Sequence, residues 1–142
     1  MRKTIIVLIS VISIALFYSC SNNRTQNDHS ANEEEIALNN GEKWIVVPEM
    51  MAIIRSMESD VNAFEGLGIT EHKALAINLQ NDIDKLTSNC TMKGQGYDEL
   101  HKWLLPYLEM VEDYNKADTN EEASLLFKRI KASFQAVNNN FK

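Results

Sequence analysis

From residue 48 to residue 141 the apolar residues recur at alternating steps of four and three, and that period decides the fold class before any other feature does. Met50, Ile54, Met57, Val61 and Phe64 make the first stripe. Pro48 suits the first helical position, where its missing N–H is no loss, and Glu49 faces the positive end of the helix dipole. Gly66, Leu67 and Gly68 end that helix. A second helix is predicted from Glu71 to about Asn89, capped by Thr70, with Ala76, Leu79, Ile83 and Leu86 on its stripe and Leu75 beside them. One further step along the stripe reaches Cys90.

A third helix is predicted to start near Tyr97, after Gly94-Gln95-Gly96, and it carries two adjacent stripes. One is Tyr97, His101, Leu104, Leu108 and Val111, and the other is Leu100, Trp103, Tyr107, Met110 and Tyr114. Two stripes side by side mark the helix set deepest in the core. Pro106 lies inside it, where it lacks a donor and crowds the carbonyl four residues back, so a kink is expected between Lys102 and Pro106. Thr119-Asn120-Glu121-Glu122 is a capping box and opens a fourth helix, with Leu126, Ile130, Phe134, Val137 and Phe141 on its face. No alternating run competes for a sheet. The expected fold is all-α: an antiparallel up-and-down four-helix bundle over residues 33–142, with a kinked third helix and an N-terminal tether and strap.

The strap is Trp44-Ile45-Val46-Val47, held extended by Pro48 after it, and expected to lie across one end of the bundle. A short helix from Glu33 to Leu38 is predicted ahead of it, begun by Asn32 with Glu35 and stopped at Asn39-Asn40-Gly41. Residues 20–32 contain no apolar side chain larger than alanine apart from the first, Cys20, and cannot build a core. As a flexible tether of about 12 residues they would reach roughly 20 Å.

The chain opens with Arg2 and Lys3, an apolar run from Ile5 to Phe17, and small residues before Cys20. Those are the three parts of an export signal, and the run is shorter than the about 20 residues a membrane span needs. Residues 1–19 are therefore read as a signal peptide. Leu16-Phe17-Tyr18-Ser19-Cys20 resembles the lipobox of a bacterial lipoprotein precursor, with Phe17 standing where the common motif has leucine. That resemblance implies cleavage before Cys20, lipidation of its sulfur and acylation of the new amino terminus. Ser21 after the cysteine resembles the outer-membrane sorting pattern of Gram-negative bacteria, which implies a lipid-anchored protein facing the periplasm. Plain secretory cleavage is the alternative. The segments at residues 39–44 (NNGEKW) and 90–104 also resemble a family of small helical-bundle lipoproteins, one that supplies no activity or catalytic residues to carry over.

With residues 1–19 removed, Arg2 and Lys3 leave, so 12 basic residues face 20 acidic ones, a net charge of −8. Such a surface argues against nucleic acid, which is held by clustered Lys and Arg. Once Cys20 is lipidated, Cys90 is the only thiol and no internal disulfide can form. The alternating bundle brings Cys90, Met92 and His101 to the same end as Met50 and Met51, while His72 falls at the other end. Thiolate, thioether and imidazole form a soft ligand set suited to copper(I), and Cys with His could begin a zinc site. The competing reading is plain packing: a core-edge histidine, a small buried thiol and gap-filling methionines. No phosphate cradle, zinc motif, haem motif or Glu-x-x-His pair is present, and nothing marks an oxyanion hole, so a non-enzymatic protein is expected. It binds a small ligand or metal ion, or it docks an envelope protein partner through a helix face.

Lipid attachment predicts that Cys20→Ala abolishes incorporation of labelled palmitate and releases the protein from the membrane fraction. Full membrane partitioning of that variant would disprove the anchor.

Overall fold

The computed structural model describes residues 34–142, so the signal peptide, Cys20, the tether and Glu33 lie outside the described residues. Four helices make up most of that span: α1 (Pro48–Ala63), α2 (Ile69–Ser88), α3 (Gln95–Lys116) and α4 (Asn120–Asn140). They pack against one another, α1 on α2 and α4, α2 on α3 and α4, and α3 on α4. Tyr107 of α3 also reaches α1, where its hydroxyl donates to the Met57 sulfur at 3.8 Å. No strand is present among the described residues, and none of their helices is long and apolar enough to cross a membrane.

The stripes are the core. Met50, Ile54, Met57 and Val61 of α1 are buried, as are Leu75, Ala76, Leu79, Ile83 and Leu86 of α2. Ile130, Phe134, Val137 and Phe141 complete it from the fourth segment. Each such aliphatic or aromatic side chain contributes about 1.5–3 kcal/mol when fully buried. Of the two stripes on α3, the second lies deeper: Leu100, Trp103, Tyr107 and Tyr114 are buried, while Tyr97, His101 and Leu108 sit at the core edge. Trp103 stacks on Tyr107 with ring centroids 4.8 Å apart, and Phe134 packs against both at 5.9 and 5.4 Å. Burial pushes the Tyr107 and Tyr114 phenols well above their ordinary range, so both stay neutral.

Helix ends follow local chemistry with two departures. Thr119 accepts from the Glu122 N–H at 3.2 Å as the capping box requires, but Glu122 returns its bond to the Asp118 N–H at 3.3 Å, one residue before the cap. Thr70 does not cap α2; the helix begins a residue earlier, at Ile69, behind Gly68 and with no side-chain cap. α3 is one helix with Pro106 inside it.

The short helix expected over Glu33 to Leu38 does not form in its described part, residues 34–38. Residues 34–38 are irregular, and Asn39-Asn40-Gly41-Glu42 is a two-residue hairpin turn. The Asn39 N–H donates to the Glu42 carbonyl at 2.8 Å and the Glu42 N–H to the Asn39 carbonyl at 3.0 Å. Asn40 and Gly41 both take positive φ, 52° and 89°, the requirement of a type I′ turn and the reason Asn-Gly fits it. A helix of six residues is also too short to repay its nucleation. The N–H of Ala37 has a better acceptor: Oε2 of Glu99 on α3, at 2.8 Å.

That carboxylate is the clasp of the strap, which in the folded chain is the whole segment from Glu34 to Val47. Glu99 is only 6% exposed and also accepts from Lys102 Nζ at 3.0 Å, while Lys102 donates to the Glu35 carbonyl at 3.2 Å. The Trp44 indole N–H donates to the Ala37 carbonyl at 2.6 Å. Trp44 then pairs in parallel with Phe141, through Trp44 N–H to Asn140 O, Lys142 N–H to Trp44 O and Val46 N–H to Lys142 O at 2.8–2.9 Å. Gly96 lets the strap approach, since a Cβ there would come within 3.1 Å of the Trp44 ring.

Glu99→Ala should cost about 1–3 kcal/mol in chemical denaturation, because it leaves the Ala37 N–H and Lys102 short of an acceptor. Glu99→Gln, which keeps an acceptor oxygen, should cost less. Amide exchange at Ala37 reports the clasp directly, and unchanged protection in Glu99→Ala would show that the strap is held by something else.

Candidate functional site

At the strap end, the ligand-type side chains divide by environment. Met50 is 1% exposed and sealed within the core, and Met51 beside it is half-buried. Cys90 and Met92 are half-buried on the connection after α2, packed against the core edge. The Met92 methyl lies near Gly96, on the side where the Trp44 ring packs. His101 is tied locally, its Nδ1 2.9 Å from the Tyr97 carbonyl and its ring 3.9 Å from that of Tyr97. An Nδ1–H donated to that carbonyl leaves Nε2 as the basic nitrogen. Among the described residues, no three His, Cys, Asp or Glu side chains gather closely enough to hold a metal ion.

What this end does contain is a cavity of about 470 Å³, and none of those five residues lines it. It opens between α3 and α4 beside the strap. Trp103, Pro106 and Met110 form its α3 side, and Ser133, Ala136 and Asn140 its α4 side. Ile36, with Glu34 and Glu35, closes it from the strap. One feature of sequence helps to make the space: α4 sets small side chains, Ser133 and Ala136, three positions apart on the side that lines it.

The polar groups of the cavity are unevenly satisfied. Ser133 donates to the Ile130 carbonyl at 2.7 Å and the Asn140 amide to the Ala136 carbonyl at 2.9 Å. The carbonyl of Lys102 has no helical donor, because the residue four ahead is Pro106. Trp103 is 4% exposed, and its indole N–H is buried without a hydrogen-bond partner among the described residues. A buried donor left unpaired costs about 1–3 kcal/mol, so the fold carries a penalty at the wall of its cavity.

The opposite end holds a buried polar cluster that its residue types alone do not announce. His72, at the start of α2, is 3% exposed and takes Tyr114 of α3 at 2.6 Å on Nδ1 and Ser124 of α4 at 3.3 Å on Nε2. Phe64, Tyr114 and Phe127 surround its ring at 4.9, 5.6 and 5.9 Å. Burial lowers its pKa below the ordinary 6.5, with the nearby Glu71 carboxylate opposing the shift. Neutral imidazole has one donor and one acceptor nitrogen, which two hydroxyls satisfy whichever tautomer is present. The sequence does hold a signal for it, since the α2 stripe read one step back from Ala76 lands on His72.

His72 binds a proton more readily unfolded than folded, so its contribution to stability is complete above pH 6.5 and is lost as pH falls below it. Melting curves should therefore show the melting temperature falling from pH 7.5 to pH 5, with a shallower fall in His72→Asn. Equal slopes would show that His72 does not carry the dependence. No family model, curated protein or solved structure matches this chain.

Proposed function

We propose that the protein is a non-enzymatic binding protein of the bacterial cell envelope, lipid-anchored through Cys20 to the outer membrane and facing the periplasm. Its ligand is a small organic molecule held in the cavity between α3, α4 and the strap. One observation carries this reading: a cavity of about 470 Å³ between α3, α4 and the strap, of the size small-molecule sites usually have. In the same reading the helices run up and down, antiparallel, and α3 bends between Lys102 and Pro106. The contact of the first turn of α2 with the last turn of α3, His72 on Tyr114, supports that order. So does the meeting of the α4 terminus with the strap that leads into α1.

Docking of a partner protein through an exposed aromatic face has less support. The aromatic side chains of the second α3 stripe, Trp103, Tyr107 and Tyr114, are buried, and the exposed apolar residues Leu38, Ile45, Leu67, Ile77, Leu105 and Leu125 are spread over different elements. Copper(I) or zinc at Cys90 and His101, with Met50, Met51 or Met92, is the outcome against which the cavity is tested.

A small-molecule panel, screened by thermal shift, should contain compounds that stabilise the protein but not Ala136→Phe or Ser133→Phe, each of which fills the cavity. A ligand at a hundred times its Kd adds about 2.7 kcal/mol. Identical shifts in the parent and both variants would reject the cavity. Copper(I) titration that responds to Cys90→Ser and His101→Ala, with no organic hit, would move the site to the thiol.

A further inference from the structure

We infer that the cavity takes an organic amine: a protonated ammonium head at the strap wall and a compact apolar body against α3. The inference rests on the binding role just proposed and specifies its ligand.

Charge sets the head group. Glu34 and Glu35 line the strap wall with exposed carboxylates, and among the described residues no cation bridges to either. Among the described residues Lys102 is the one cation lining the cavity, and it is engaged by Glu99 and by the Glu35 carbonyl. Counting Glu34, Glu35 and Glu99 against Lys102 leaves two uncompensated negative charges around the opening. The protein as a whole is acidic, at −6 over the full sequence, so its long-range field also favours a cation.

Hydrogen bonding points the same way. The wall is rich in acceptors: two carboxylates and the Lys102 carbonyl that Pro106 leaves without a helical donor. An ammonium brings three donors and no acceptor, which complements them. An anionic ligand would meet the carboxylates with like charge and leave those acceptors unanswered. Trp103 lines the apolar part with Pro106 and Met110. Ile36, Trp103, Pro106 and Met110 supply the apolar contact.

The strap makes the site conditional. Its wall residues are held through Ala37 on Glu99 and Lys102 on the Glu35 carbonyl, so the carboxylates that would bind the head are positioned by the same clasp that fixes the strap. Glu99→Ala removes the placement of Glu34, Glu35 and Ile36 and leaves Trp103, Pro106 and Met110 on α3.

Three probes of one shape separate the contributions: 2-phenylethylamine, 2-phenylethanol and phenylacetate, titrated calorimetrically into the full chain in detergent against a detergent blank. The amine should bind about fivefold more tightly than the alcohol, the magnitude expected from two exposed charge pairs, and the acid most weakly. In Glu34→Gln/Glu35→Gln, and in about 0.5 M salt, the amine should fall to the level of the alcohol. Binding of all three should be lost in Ala136→Phe. Equal binding of amine and alcohol, tighter binding of the acid, or a preference that survives the double substitution would overturn the amine while leaving the cavity reading intact. No binding by any probe, or binding unchanged in Ala136→Phe, would overturn both.

Discussion

A single buried carboxylate organises the strap end of this protein. Glu99 lies on the first turns of α3, is closed off from water, and answers two donors at once: the backbone N–H of Ala37 and the ammonium of Lys102. A charge in that position is tolerable only because both bonds are made. The consequence reaches beyond α3. Holding Ala37 fixes the carbonyl to which the Trp44 indole donates, Trp44 fixes the pairing with Phe141, and that pairing ties the strap to the end of α4. The side wall of the cavity exists because that chain of contacts is complete.

Helix positions are legible in the sequence because the apolar period is a direct consequence of burying one side of a helix. All but a few stripe residues are inside, and the exceptions, Phe64, Tyr97, His101, Leu108 and Met110, lie at the margins of the core. Legibility fails where a side chain far along the chain competes for a backbone group. Residues 33–38 have local helix signals, but nothing near them announces that Glu99, 62 positions away from Ala37, will take the donor a helix needs. The Asn40-Gly41 pair is different. Its preference for a hairpin turn is local and strong, and it reads as a helix stop only when a helix is assumed before it.

The candidate site follows the same division. Unusual side chains draw attention to Cys90, Met92 and His101, yet the cavity is lined by ordinary ones, and its volume is owed to what is missing, side-chain bulk at Ser133 and Ala136. Absence has no periodicity, so it cannot be read until α3 and α4 are set face to face. His72 is hidden for the opposite reason, as a polar residue continuing an apolar stripe, with Tyr114 and Ser124 brought to it from 42 and 52 residues away.

The pairing of Trp44 with Phe141 also determines how the protein responds to force. Tension applied upstream of Glu34 would meet the Glu99 clasp at Ala37 first and then the backbone bonds at Trp44 and Val46. Because the Val46 side chain is part of the core, peeling the strap that far would also begin to open the bundle. A fusion or tag at Lys142 would act on the same backbone bonds from the other side.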